Sequence, residues 1–362
     1  MTFRHGDTTS FVLSIESAKA KWLANRQFRG WTSVMDMRNE KARAHGLPAE
    51  NADEAKSYRL KIFDPHHHLW DLTQYRYPWM DPGTPSIVGD PAPIRKNYLA
   101  KDYLADTREF DLIGTVHLDG GFDPWNPVGE TRFVQQIHEK SGFPNAIVGQ
   151  VALDNPAAVE LIDAHMAASP LLRGIRHIVA WHPDRRLTYV DRSDYLRDER
   201  WLRNFSKLAD YRLSFDTQVY PHQMEDLASI ARVHAGTRII VNQAGMPDGL
   251  ITGDFSAWKT GMRTLSACHN VSVKISGFGM LKPKWTVKDV RPLITELVDL
   301  FGPSRLMFAS NFPVDKLFRS FRDIYHDYAE CVRSLSEPER EAMFSGTAIE
   351  SYRPVFPGVI RK

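Results

Sequence analysis

The stretch "IFDPHHHLWD", Ile62 to Asp71, sets three histidines in a row between a short apolar run and a tryptophan. In an extended strand alternate side chains share a face, so His66 and His68 point one way and His67 the other. Two imidazoles presented to a common hollow can bind one divalent cation, polarise a carbonyl or carry a proton. The competing reading is a polar strand end with no chemistry. The position of the pair, at the end of a strand and before the long aromatic segment "YRYPWMDPGTPSIVGDPAPI", favours the chemical one.

Other residues offer supporting chemistry. In "LRGIRH", Arg173, Ile175 and His177 alternate on one face and Arg176 takes the other. A guanidinium there can grip a carboxylate in a two-point fork, and His177, last in the run, can polarise a carbonyl; surface ion pairs are the alternative. Gln218, in "FDTQVYPHQ", is a candidate substrate amide, whereas His222 lies beyond a proline and reads as a loop residue. Lys274, in "VKISG", is placed to face an interior, where it needs either a substrate or an internal partner. His117, inside "TVHLDGG", is a weaker candidate. Trp79, in "YRYPWM", suits a substrate wall or ordinary half-buried packing. Glu130, at the start of "GETRF", complements a helix dipole.

The elements that must position these groups recur along the chain. "KIFDP", "LIGTVHL", "AIVGQVAL", "RGIRHIVA", "RLSFDTQV", "RIIVNQA", "VSVKIS" and "RLMFAS" read as strands. Helix-like stretches such as "PAAVELIDAHMAAS" and "VRPLITELVDLFG" separate most of them. Strands alternating with helices imply parallel pairing. Eight of them match an α/β fold of the (β/α)8 TIM-barrel type better than an open doubly wound sheet, since no glycine-rich dinucleotide fingerprint follows the first strand. Two inserts, from Leu69 to about Ala105 and from about Trp181 to Trp201, leave the carboxyl ends of strands one and four, where active sites of this architecture lie. The expected organisation is an N-terminal helical extension over residues 1–57 and a barrel over 58–362.

Bulk properties limit the partners. The net charge of +2 gives no field for nucleic acid or an acidic membrane. No apolar run approaches transmembrane length. Cys268 and Cys331 alone cannot build a disulfide framework, and a reducing, cytoplasmic setting is expected. The apolar positions of the extension, among them Trp22, Phe28 and Trp31, offer a face for packing on the barrel or on a second copy in a homo-oligomer.

"FDPHHHLWD" resembles the opening motif of the amidohydrolase superfamily, most of all the branch of barrel hydrolases that holds sugar lactonases and pyrone dicarboxylate lactonase. "GTVHLDGG", "GETRFV", "LRGIRH", "FDTQVYPHQ", "VNQAGMP", "VKISG" and "RLMFASNFPVD" follow in order, so the resemblance runs from about Ile62 to about Tyr328. It implies a metal-dependent type of barrel hydrolase acting on C–O or C–N bonds, with His66 and His68 as the first-strand pair. Two positions depart from it. Gln243 stands where the family usually has histidine, and Asn311 where it has the aspartate of a Ser-Asp-Trp-Pro motif. Asparagine keeps a carbonyl oxygen but loses charge and basicity, and glutamine replaces a good nitrogen ligand. The expected cofactor is therefore a weakly bound zinc or manganese on His66 and His68, or none.

The resulting expectation is a hydrolase that opens a lactone or similar cyclic ester of a small acidic or polyhydroxy substrate. His66, His68, His177 and Asn311 are its catalytic candidates. Arg173, Arg176, Gln218, Gln243, Lys274, His117 and Trp79 are the candidates for binding substrate. Asp216 and Asp315 are further candidates for the base. The alternatives are a decarboxylase, hydratase or isomerase on the same barrel, and a barrel that binds a ligand without chemistry.

Overall fold

A computed structural model describes residues 59–356. The proposed helical extension, and with it any role in oligomer contacts, falls outside the described residues. Eight parallel strands are ordered sequentially, β1-β2-β3-β4-β5-β6-β7-β8. They are β1 (Lys61–His67), β2 (Asp111–Leu118), β3 (Ala146–Gln150), β4 (Leu172–Arg176), β5 (Ser214–Thr217), β6 (Ile239–Val241), β7 (Val271–Ile275) and β8 (Leu306–Phe308). Each is followed by a helix: α1 (Ala100–Asp106), α2 (Pro127–Ser141), α3 (Ala158–Ala168), α4 (Glu199–Ser206), α5 (Met224–Val233), α6 (Ser256–Ser266), α7 (Val287–Phe301) and α8 (Phe321–Cys331). The fold is a (β/α)8 barrel. The ends of β8 and β1 meet where Asn311 N donates to His66 O (2.8 Å) and His68 N donates to Phe312 O (2.7 Å).

Local chemistry sets the helix limits. Pro127 opens α2 where its missing N–H costs nothing, and Gly142, at φ 77, ends it in the left-handed region. Thr286 and Asp289 form a capping box at the start of α7, and the Ser320 side chain accepts from Asp323 N at the start of α8.

Alternation along the strands divides the core in two. Phe63, Val116, Leu118, Ala146, Val148, Ile240 and Met307 fill the inside of the barrel, and Ala348 and Tyr352 of a further helix, Thr347–Tyr352, join them. Ile62, Ile147, Ile175, Phe215, Val241 and Val273 face the helices together with Trp201 and Trp258. The two long inserts remain without a helix of their own beyond single turns. The first is pinned by an antiparallel bridge between Trp70 and Tyr98 and by Trp70 Nε1 donating to Lys96 O (2.8 Å). The second is held by Tyr220 Oη donating to Leu187 O (2.7 Å). Among the described residues no helix is long and apolar enough to cross a membrane.

Candidate active site

The β1 alternation holds at its end. The His66 and His68 rings lie 5.1 Å apart at 85°, whereas His67 stacks on Tyr103 of α1 at 4.3 Å and its Nε2 bonds Thr115 Oγ1 (3.0 Å). The carbonyl of Leu118 can only accept, so His68 carries its proton on Nδ1 (3.0 Å) and keeps the lone pair on Nε2. His66 is fully buried and neither ring nitrogen has a partner. Burial, then the charges of Lys274, His68 and Arg176, hold it neutral, well below the ordinary histidine range. Burial and then Arg176 push His68 down to about 3.

Behind the pair, Asp64 ties β1 to β8. Its Oδ1 accepts from Ser310 N (2.9 Å), and its Oδ2 accepts from Ser310 Oγ (2.6 Å) and Tyr103 Oη (2.7 Å). These bonds set the position of the neighbouring Asn311. From Asn311 a hydrogen-bonded row crosses the barrel mouth. Gln243 Nε2 donates to Asn311 Oδ1 (2.9 Å), Ser276 Oγ donates to Gln243 Oε1 (2.7 Å), and Asn311 Nδ2 donates to Asp315 Oδ1 (3.2 Å). Gln243 and Asn311 both have φ +55. A Cβ on Gly277 would lie 2.2 Å from Gln243 Oε1, so glycine is needed there for the row to form. Burial pushes Asp315 up to about 7 against the pull of its two donors, Asn311 and Gly277 N.

The guanidinium at the mouth is Arg176, and this corrects the expectation for Arg173. Arg176 is buried, with Nη1 donating to Asp119 O (2.8 Å) and Nη2 to Gln218 Oε1 (2.5 Å); its Nε has no partner. Gln218 Nε2 in turn approaches Met246 Sδ (3.5 Å). Arg173 sits near the amino end of β4, too far down the strand to reach the mouth. Its guanidinium donates to the carbonyls of Pro170, Leu172 and Arg353. Arg173 shares the outward face with Ile175, and His177, one residue past the strand, turns outward as well. Leu153 N (3.1 Å) and Trp201 Nε1 (3.0 Å) both donate to its Nδ1, and burial pushes it down to about 4. His177 is therefore not brought to His66 and His68.

Two more candidates are drawn away from the mouth. His117 faces outward, because its neighbours Val116 and Leu118 fill the barrel interior. Its Nε2 is 3.3 Å from Glu130 Oε1 without an aligned hydrogen bond, and its ring is 5.9 Å from that of His67. Burial pushes His117 down to about 3 and Glu130 up to about 8. Lys274 does face inward, but as an ion pair: Nζ donates to Asp216 Oδ1 (2.7 Å), both side chains fully buried. Tyr352 Oη (2.7 Å) and Asn242 Nδ2 (3.1 Å) donate to the same oxygen, which occupies Asp216 as well. Burial pushes Lys274 down to about 8. Trp79 forms part of the rim, with Nε1 donating to Gly120 O (2.7 Å).

Three mouth residues were not singled out from the sequence. Asp119 ends β2 in "HLDGG", where a charged residue at the carboxyl end of a barrel strand is itself a signal. Met280 follows β7. Tyr189 lies in the second insert, and its Oη reaches Met280 Sδ across the mouth (3.6 Å); nothing in "DRRLTYVDRS" marks it. A cavity of about 280 Å³ opens beside Arg176, lined by Asp119, Gln150, Arg176, His177 and Tyr189 among others. It lies on the β2–β4 side of the mouth, and the two histidines do not line it.

As a metal site the donor set falls short. His66 and His68 offer two nitrogens, but the Asn311 and Gln243 carbonyl oxygens are taken within the row. Among the described residues no three histidine, cysteine, aspartate or glutamate side chains converge as a cation site. The residues present do not fit a tightly held divalent ion.

A barrel whose mouth gathers two imidazoles, a guanidinium and a row of amides has the construction of a barrel hydrolase. The chain belongs to the amidohydrolase family, whose family model matches residues 63–353, and it is a hydrolase. It is 42% identical over 296 residues to the uncharacterized protein y4mH of Sinorhizobium fredii, covering 81% of this chain and 99% of that protein. It is 27% identical over 304 residues to an L-fucono-1,5-lactonase of Burkholderia multivorans, covering 80% and 95%. Among solved structures, an amidohydrolase from Burkholderia multivorans with bound zinc superposes with a TM-score of 0.68 at 23% identity, covering 81% of this chain and 99% of that one.

Proposed function

We propose that this chain opens a small cyclic ester by attack of water, with its own side chains moving the proton. One observation carries the reading: His66 is a neutral, fully buried imidazole with both nitrogens unpartnered, at the mouth of a hydrolase barrel. Leaving a buried polar group unpaired costs about 1–3 kcal/mol, a cost that a binding partner removes. The likeness to an L-fucono-1,5-lactonase supports a lactone over an amide.

In this reading the water oxygen bonds to the ester carbonyl carbon, and its proton passes to His66. The charge of Arg176, which together with burial helps to keep the free imidazole neutral, becomes favourable once negative charge develops on the carbonyl oxygen. Collapse breaks the ring C–O bond, and the proton on His66 goes to the departing alkoxide. His68, locked by Leu118 O, orients the water or the carbonyl. Arg176, with Asp119 and Gln218, holds the polar substituents of the ring.

The test is acid release from a panel of five- and six-membered lactones by protein purified without added metal, before and after chelation. Ring opening that survives chelation and adds one water to the product mass is expected. No turnover on any lactone, or loss of carbon dioxide instead of gain of water from an aromatic acid, overturns ring opening. Stoichiometric zinc or manganese whose removal abolishes turnover overturns the assignment of the proton transfer to the side chains alone.

A further inference from the structure

The row Ser276–Gln243–Asn311–Asp315 has a direction, and that direction is set at one end. An ionised carboxylate can only accept. Ionised, Asp315 takes a hydrogen from Asn311 Nδ2 (3.2 Å) on one oxygen and from Gly277 N (3.0 Å) on the other; burial raises it to about 7, and above that pH this sense is enforced. This turns Asn311 Oδ1 toward Gln243, which must donate to it through Nε2, and it leaves Gln243 Oε1 to accept from Ser276 Oγ. The amide oxygens are each occupied, and the row leaves hydrogens over. Each amide nitrogen carries two: the row uses one on Gln243 Nε2 and one on Asn311 Nδ2, and the Asn311 side chain also bonds the His68 ring. Met280 Sδ, a weak acceptor, lies 3.9 Å from Asn311 Nδ2, and Gln243 Nε2 has no second acceptor among the described residues.

Both residues are held at φ +55, a conformation that costs a side-chain-bearing residue about 1–3 kcal/mol and persists where the surroundings enforce it. They come from the ends of different strands, β6 and β8, yet are bonded to each other directly. From this geometry we infer that Gln243 and Asn311 act together as paired amide donors to the oxygen that becomes negatively charged, with Asp315 as the positioning residue that sets their sense. The inference rests on the ring-opening reading for its reaction. The paired donors themselves are a property of the free protein. Where a histidine and an aspartate would offer a base and ligands, two amides offer hydrogens. The mouth then divides its work: imidazoles on the β1 side handle the proton, and amides on the β6–β8 side receive the charge.

Two measurements on the full chain test this. In the first, acetate, a small oxyanion, is titrated into protein labelled with ¹⁵N in its side-chain amides. The Gln243 and Asn311 signals are identified by their loss in Gln243→Glu and Asn311→Asp. Both pairs of amide protons are expected to shift downfield. In Asp315→Leu the Asn311 response is lost, whereas Asp315→Asn, which keeps an accepting oxygen, retains it. In the second, Asn311→Asp lowers kcat about 10²–10³-fold with KM changed by no more than about threefold, the pattern of a donor used only as charge develops. Asp315→Leu follows in the same direction, and Asp315→Asn restores part of the loss.

Amide signals that ignore acetate overturn the inference, as does an Asn311→Asp protein of undiminished kcat or one that gains turnover on addition of zinc or manganese. A protein that turns over no lactone overturns the ring-opening reading instead, and the acetate titration then decides on the amide pair alone. Should Asp315→Leu fail to fold, Asp315→Asn and the wild-type titration still decide.

Discussion

Inside one barrel, two polar clusters are equally buried and differ in their bonding. In the middle of the barrel Asp216 accepts from Lys274, Tyr352 and Asn242 on one oxygen and lies 3.3 Å from Ser214 Oγ on the other. At the mouth, His66 has no partner on either nitrogen and Arg176 none on Nε. In the first cluster the Lys274 and Asp216 charges are paired within the protein, with the neighbouring Asn242 Oδ1 left open, whereas the mouth leaves an imidazole and a guanidinium nitrogen open. A charge-paired buried network holds structure, whereas incomplete valences concentrated at the carboxyl ends of barrel strands mark the place where another molecule is bonded. Lys274 therefore belongs to the scaffold although it faces inward.

The largest effects should separate the two clusters by what they damage. His66→Ala should lower lactone turnover by about 10³-fold, the scale of a lost proton carrier, with little change in melting temperature. A comparable loss of both fold and activity would erase the distinction. Lys274→Met should do the reverse, destabilising the fold by about 3–5 kcal/mol because it strands the Asp216 carboxylate. Chemical denaturation reads this directly, and the double variant Asp216→Leu with Lys274→Met should recover most of the loss.

A smaller contrast lies within β4. Arg176→Lys should lower kcat/KM by about 10-fold or more, since an ammonium cannot reproduce a fork shared between Asp119 and Gln218. Arg173→Lys should leave kinetics within about twofold, because that side chain serves carbonyls at the far end of the strand. Equal effects from both would place the substrate elsewhere. The smallest expected effect concerns the outer layer. Burial raises Glu130 to about 8, so between its unfolded value and 8 the folded state holds the extra proton, and stability falls as pH rises through that window. The buried histidines held neutral, His66, His68, His117 and His177, act in the opposite sense below about pH 6.5, so the Glu130 contribution is read as a difference: the melting temperature of Glu130→Gln relative to the wild type should rise from pH 5 to pH 8.

Much of the fold was legible because strand signals are local. Each of the eight apolar runs overlaps one of β1–β8, and the inserts after strands one and four are where expected. The His66–His68 alternation was readable for the same reason. Facing across the barrel was less accessible. The alternation along β4 was readable, but which face looks inward was not: Ile175 packs against the helices, so Arg173 and His177 share its outer side and Arg176 takes the inner one. His117 was lost to the same ambiguity of parity. The Gln243–Asn311 bond joins residues 68 apart in sequence, and no local pattern encodes it. Asp119 was legible in principle as the charged end of β2. Tyr189 was not, because an insert without periodicity carries no signal of direction.

That phenol has a kinetic consequence. His66 exposes none of its surface, and the Tyr189 contact to Met280 spans the opening above the mouth with one long oxygen–sulfur approach. In the ring-opening reading, ester and water must reach an imidazole that has no exposed surface, so side chains above it have to move before the bond can break.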